Sequence, residues 1–216
     1  IGSDFTCALD NDGAAWCWGS GTKGRLGDRP SSNADFDTPN QTNTSATFSD
    51  ITSGEAHTCA TTSNGQVWCW GDNAKGEQND TVGTRKDPTQ ILGFSAATNP
   101  AQQIDAGKNF TCGIDNATTM YCWGTINNET TPYKTDTPFS TTATAVGAGD
   151  NHVCAALTNG NVQCWGDNSY NQAPSSINVY TLRSKAISIY AWDDYTCASL
   201  ENGGYTCWGD GNIWVN

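Results

Sequence analysis

Read for its apolar and polar positions, the chain states one short phrase five times: FTCALDNDGAAWCWG (5–19), HTCATTSNGQVWCWG (57–71), FTCGIDNATTMYCWG (110–124), HVCAALTNGNVQCWG (152–166) and YTCASLENGGYTCWG (195–209). In each copy a short apolar-rich run meets a polar break that usually holds Asn-Gly or Asp-Gly, and a second apolar-rich run follows. Short runs of this kind bounded by turn residues predict β-hairpins. The copies recur every 42 to 53 residues, a period that belongs to propellers and solenoids.

The spacing of the cysteines fixes a register. Every copy has Cys-x9-Cys: Cys7 with Cys17, Cys59 with Cys69, Cys112 with Cys122, Cys154 with Cys164, Cys197 with Cys207. Pairing Cys7 with Cys17 across antiparallel strands sets Ala8 opposite Trp16 and Leu9 opposite Ala15, and leaves Asn11-Asp12-Gly13 to turn. That is a three-residue hairpin whose last turn residue is left-handed, where Gly is the least costly residue. Ser63-Asn64-Gly65, Thr158-Asn159-Gly160 and Glu201-Asn202-Gly203 repeat the chemistry, and Asn116-Ala117-Thr118 departs from it. The cysteines then fall at a non-hydrogen-bonded pair, whose short Cα separation suits a cross-strand disulfide. One disulfide per hairpin is the expectation.

Between hairpins the chain supplies two further strands per repeat. One follows a proline (Pro39, Pro88, Pro132, Pro174); the other carries an apolar residue eight places before the first cysteine (Ile51, Ile104, Val146, Ile189) and leads into a Gly five before it (Gly2, Gly54, Gly107, Gly149). Four strands in some forty residues make a propeller blade, so the chain is expected to be all-β, a five-bladed β-propeller spanning 1–216 as one domain. Trp18, Trp70, Trp123, Trp165 and Trp208 follow the second cysteines and are expected to pack between blades. Asn212 to Asn216 can form the outer strand of the fifth blade, whereas the first blade, with Ile1 only six places before Cys7, lacks most of its inner strand. A closed ring is the expected arrangement, since a solenoid leaves sheet faces uncovered at both ends. A start at Ile1 without Met fits an excised or processed product, so the repeats could be an excerpt of a longer array.

The pattern Gly-x-x-His-Thr-Cys-Ala, then Asn-Gly, then Val-Trp-Cys-Trp-Gly-Asp-Asn-x-x-Gly at Gly54 to Gly76, with Lys23-Gly24-Arg25-Leu26-Gly27 in the first copy, resembles the repeats of the regulator of chromosome condensation family. The resemblance spans all five units and implies a β-propeller. Its trailing Gly-Gln-Leu-Gly is degraded to Gly76-Glu77-Gln78-Asn79 in the second copy and is unrecognisable in the third and fourth. Five units are also fewer than the seven blades usual in the family. One branch of such propellers resembles β-lactamase inhibitor proteins, which implies that inhibition of a secreted enzyme is open to the fold.

Charge narrows the partners. Asp and Glu outnumber Lys and Arg by 22 to 10, for a formal net charge of −12. Such a surface repels phosphate backbones, so nucleic acid is not an expected partner. No apolar run is long enough to span a bilayer. With all ten cysteines paired, an oxidising compartment is expected, extracellular or at the cell surface, and no thiol remains for catalysis or zinc. The namesake's nucleotide-exchange and chromatin roles therefore do not carry over.

Candidate chemistry is sparse. The two histidines, His57 and His152, occupy a repeat position filled elsewhere by Phe5, Phe110 and Tyr195, which marks it as a packing position. Asp10-Asn11-Asp12-Gly13 opens like a calcium loop but lacks the later bidentate acid and is needed for the turn. Asp193-Asp194, Asp72, Asp167 and Asp210 are loop carboxylates among which no spacing singles out a glycosidase pair. No catalytic, metal or cofactor residue is assigned, and no cofactor is expected. Asn40, Asn43, Asn79 and Asn128 are candidate glycosylation sequons. Trp16, Trp68 and Trp214 lie outside the repeated Trp position and could contribute to an exposed aromatic patch, although Trp16 and Trp68 share a hairpin position and are equally open to a core role. The expected function is a non-enzymatic extracellular interaction, adhesive or structural module, binding a protein, a surface polymer or copies of itself. The alternatives are an inhibitor of a secreted enzyme and, last, a carboxylate-dependent glycan hydrolase.

Overall fold

The computed structural model describes residues 1–28, 33–78, 83–91, 93–126, 129–131, 142–174, 182–210 and 214–215. They form five separate antiparallel sheets, one per repeat. The first holds β1 (Phe5–Leu9), β2 (Ala15–Gly19) and β3 (Phe36–Gln41); the second β4 (Asp50–Ser53), β5 (His57–Thr61), β6 (Val67–Gly71) and β7 (Arg85–Gln90). The third holds β8 (Ala101–Ala106), β9 (Phe110–Asp115), β10 (Met120–Ile126) and β11 (Glu129–Thr131). The fourth holds β12 (Ala143–Ala148), β13 (His152–Leu157) and β14 (Val162–Gly166); the fifth β15 (Ala186–Trp192), β16 (Tyr195–Leu200), β17 (Tyr205–Gly209) and β18 (Trp214–Val215). The chain is an all-β, five-bladed propeller.

The hairpin register is the one that the cysteine spacing predicts. Cys7 faces Cys17, Ala8 faces Trp16 and Leu9 faces Ala15, and the other four hairpins pair their cysteines likewise. All five disulfides are formed, with Cα separations of 4.0 to 4.1 Å. Gly13, Gly65, Gly160 and Gly203 sit at φ of 77 to 85°. In the third turn Thr118 takes the same left-handed place at φ 65°, so the departure there is one of residue and not of conformation. Asp115 holds that turn by accepting the Ala117 and Thr119 N–H groups, as Asp10 accepts those of Asp12 and Ala14.

The outer strand departs from expectation. Pro39 and Pro88 lie inside β3 and β7 and do not precede them, each within a register shift against the neighbouring strand. An edge strand has outward N–H groups that need no ladder partner, so proline is tolerated there.

Four apolar cores fill the four seams between consecutive blades. Each blade contributes its disulfide and the residue two before the second cysteine, such as Val67 or Val162; the next contributes its Trp. Trp70, Trp123 and Trp208 are buried, whereas Trp18 and Trp165 are half-buried. Each seam is also stitched at the hairpin end, where the left-handed turn residue accepts an N–H at the start of the next blade: Phe48 to Gly13, Ala101 to Gly65, Ala143 to Thr118, Ala186 to Gly160. Among the described residues no core and no such stitch joins the fifth blade to the first.

Candidate functional site

The inner turns of all five blades converge on a cavity of about 520 Å³ along the axis. One backbone bond per seam positions them: Ser3 N–H to Glu55 O, Glu55 to Lys108, Lys108 to Asp150 and Asp150 to Asp193, at 3.1 to 3.4 Å. The glycines three residues before His57, Phe110 and His152 make this approach possible. A Cβ on Gly54 would stand 2.3 Å from Gly107 O, and one on Gly107 would stand 2.4 Å from Gly149 O. The result is a mouth edged by Glu55, Asp150 and Asp193 with Lys108 among them. Burial, followed by the like charge of Asp193, pushes the Asp150 carboxyl above its ordinary range.

Asp105 on the cavity wall ties three blades together. Its carboxylate accepts the Thr52 hydroxyl at 2.9 Å from the second blade and the Ala148 N–H at 2.8 Å from the fourth. Burial raises its pKa to about 6 in spite of the Ala148, Thr52 and Ala106 donors that favour the charged form. Beside it, the Gln103 amide exchanges two hydrogen bonds with the Val146 backbone.

The histidines lie in seams. His57 Nε2 is 2.8 Å from Thr111 Oγ1 of the next blade, and His152 Nε2 is 2.7 Å from Thr196 Oγ1. Both rings are buried, and burial lowers both pKa values to about 4, so they are neutral at physiological pH. These are packing residues, as the repeat alignment indicates.

The carboxylates singled out in sequence are distributed over structural tasks. Asp72 pairs with Lys23 at 2.5 Å. Asp167 accepts from Ser169 and from Gln172 Nε2, and Asp10 receives the Trp16 indole N–H besides its turn bonds. Asp193, Asp194 and Asp210 gather at one end of the fifth blade, where burial and then the neighbouring Asp193, Asp167 and Asp210 raise the proton affinity of Asp194. Asn43 is exposed and donates to Asp87; Asn40 is half-buried on β3. Asn79 and Asn128 lie outside the described residues.

The trailing loop is more persistent than its sequence. In the fourth copy Asn171, at φ 62°, takes the place of Gly76 at φ 80°. Gln172 accepts the Tyr170 N–H as Glu77 accepts that of Lys75. The Glu77 and Gln172 carbonyls receive the indole N–H groups of Trp123 and Trp208 across their seams. The motif is hidden in the sequence because Asn, as well as Gly, adopts the left-handed conformation that the loop requires.

Trp16 and Trp68 are half-buried, and Trp68 packs edge-on against Phe48; the side chain of Trp214 lies outside the described residues. Among the described residues the exposed rings are Tyr170 of the fourth repeat and Tyr190, Trp192, Tyr195 and Tyr205 of the fifth blade. The signal was present: Trp192 stands where the other four repeats have Gly.

The profile of the regulator of chromosome condensation (RCC1) repeat matches residues 1–25, 48–77 and 143–172. The chain is 26% identical over 183 residues to the human E3 ubiquitin-protein ligase HERC2, an alignment covering 77% of this chain and 4% of HERC2. Among solved structures it resembles Prp20p from Saccharomyces cerevisiae, described for its binding to Gsp1p and histones, with a TM-score of 0.80, 21% identity, and coverage of 97% of this chain and 56% of that one. It also resembles the CRINKLY WD40 ectodomain of the Arabidopsis thaliana receptor kinase ACR4, with a TM-score of 0.63, 19% identity, and coverage of 100% and 65%. This chain thus spans only part of the proteins it matches. Among the described residues no helix is long and apolar enough to cross a membrane.

Proposed function

Because the chain is an RCC1-like repeat β-propeller with a disulfide in every blade, we propose that it is a non-enzymatic protein-binding module working outside the cell or at its surface, in an adhesive or structural role. The observation that carries this reading is the cysteine inventory: ten cysteines form five bonds within their own hairpins and none is free. Thiol-reducing compartments do not maintain such a set. The axial mouth supplies a rigid, acidic ring of turns suited to a protein partner, and Asn40 and Asn43 on the outer edge of the first blade are proposed glycan acceptors. In this reading residues 1–216 act as one propeller unit.

The test is peptide mapping of native material without reductant, together with negative-stain imaging before and after reduction. Intrablade disulfides and surface assemblies that fall apart on reduction are the expected result. Free thiols in native material overturn the extracellular reading. A second reading, a soluble inhibitor of a secreted enzyme, draws support from the exposed Tyr190, Trp192 and Tyr195, and predicts a monomer in the same images.

A further inference from the structure

On the fifth blade, the side that in the preceding blades receives the next one carries residues unlike theirs. Register places Tyr190 beside Cys197 and Trp192 beside Tyr195 on one side of the sheet, with Cys207 opposite Cys197. Tyr190 and Trp192 are each 65% exposed and Tyr195 is 45% exposed. In the preceding blades this is the side that receives the next blade. There the position of Trp192 holds Gly2, Gly54, Gly107 or Gly149, and that of Tyr190 holds Thr52, Asp105 or Gly147. A bare Cβ at Gly54, Gly107 or Gly149 already comes within 2.3 to 2.9 Å of the next blade's backbone carbonyl. A blade seated in the same way on the fifth would drive that carbonyl into the indole of Trp192.

The chemistry around the rings points to the occupant. Asp193 and Asp194 are the two residues that join Trp192 to Tyr195, and Asp210 follows Gly209, the residue opposite Tyr195, with its N–H bonded to Asp194 O at 3.0 Å. Among the described residues no Lys or Arg forms a salt bridge with these three carboxylates. Aromatic faces edged by unneutralised acids attract guanidinium and ammonium groups, through the ring quadrupole and the carboxylates together. Two copies meeting face to face would set these acids against one another, which disfavours a symmetric dimer here.

We propose that the Tyr190–Trp192–Tyr195 face, with Asp193, Asp194 and Asp210 at its end, docks a cationic segment of a protein partner, its Arg or Lys side chains laid on the rings and paired with the acids. This rests on the protein-binding reading above and names the partner's chemistry. A labelled nona-arginine peptide, with a nona-glutamate and a Gly-Ser peptide as controls, tests it by fluorescence anisotropy on the intact chain. Wild type is expected to bind nona-arginine alone, more weakly at 300 mM than at 50 mM salt. Trp192→Gly, which restores the residue of the other repeats, and Asp193→Asn/Asp194→Asn should each weaken binding at least tenfold. Asp12→Asn/Asp37→Asn, which removes two charges elsewhere, should leave it unchanged.

Equal loss in that control pair overturns the proposal in favour of diffuse charge attraction. Binding indifferent to Trp192→Gly overturns it too, as does a Trp192-dependent dimer in light scattering or Trp192-dependent retention on a glycan array, each of which gives the face another occupant. None of these outcomes touches the thiol state of native material, so the extracellular reading stands or falls separately.

Discussion

His57 Nε2 lies 2.8 Å from Thr111 Oγ1 across the seam between the second and third blades, and the same pair recurs as His152 and Thr196 between the fourth and fifth. Between the third and fourth, the corresponding residues are Phe110 and Val153, both buried. In these three seams the ring of one blade and the residue before the first cysteine of the next match in polarity, His with Thr and Phe with Val; in the first seam Phe5 corresponds to Thr58, whose hydroxyl pairs with Ser53 of its own blade. A buried polar atom without a partner costs about 1–3 kcal/mol, whereas replacing both partners by apolar groups is nearly neutral.

The first prediction follows from that asymmetry. Thr196→Val alone should destabilise the protein by about 1–3 kcal/mol because it strands His152. His152→Phe/Thr196→Val, which copies the third seam, should recover most of the loss. Urea titrations of the two single variants and the double form the cycle. An additive double variant would mean that the pair has no coupling.

Acid should weaken the fold through the same histidines. Their folded-state pKa values, about 4, lie below the ordinary 6.5, so the unfolded chain binds protons more readily. Their contribution is fully present above pH 6.5 and is lost as the pH falls toward 4, by up to about 3 kcal/mol for each ring. Asp105 works in the opposite sense: its folded-state pKa of about 6 exceeds the ordinary 3.8, so its contribution is full below pH 3.8 and disappears as the pH rises through 6. Replacing both pairs, as His57→Phe/Thr111→Val and His152→Phe/Thr196→Val, should flatten the decline between pH 6.5 and 4. Asp105→Asn should steepen it. Unfolding midpoints measured across that range decide both, and unchanged slopes would refute the assignment.

Reduction should not strike the five disulfides alike. Cys59–Cys69 and Cys112–Cys122 are fully buried within seams, whereas Cys197 and Cys207 lie half-exposed on the uncovered face. Timed treatment with a mild phosphine followed by alkylation should label Cys197 and Cys207 first, with the central pairs protected until the protein unfolds. Uniform labelling would mean that the fifth blade's face is covered in solution.

What the sequence makes legible, and what it does not, follows from the range of the interactions. The hairpins could be read outright because Cys-x9-Cys and the Asn-Gly turns are local and fix a register by themselves. The partners of His57 or Trp123 could not, since each lies in another repeat, 54 and 46 residues away, and is brought close only when blades pack. The uncovered face needed both kinds of information. Trp192 is visible as an exception to the Gly rule, but its meaning appears only once Gly107 and Gly149 are seen against a neighbour's carbonyl.

The last prediction concerns Thr118. It holds a left-handed backbone at φ 65° in a turn whose equivalents are all Gly. For a β-branched residue that conformation costs about 1–2 kcal/mol. The surroundings enforce it: Asp115 O accepts the Thr118 N–H, the Asp115 carboxylate caps both neighbours, and Thr118 O receives the Ala143 N–H that begins the fourth blade. Thr118→Gly relieves the strain but adds freedom to the unfolded chain, worth about 0.4–1 kcal/mol in the other direction. Asn tolerates the left-handed region without that penalty. Thr118→Asn should therefore stabilise the protein by about 1 kcal/mol and Thr118→Gly by less, both read from the shift in urea midpoint at unchanged slope. Destabilisation by both variants would show that the Thr118 side chain, whose hydroxyl donates to Ala117 O at 2.6 Å, contributes more than its backbone strain costs.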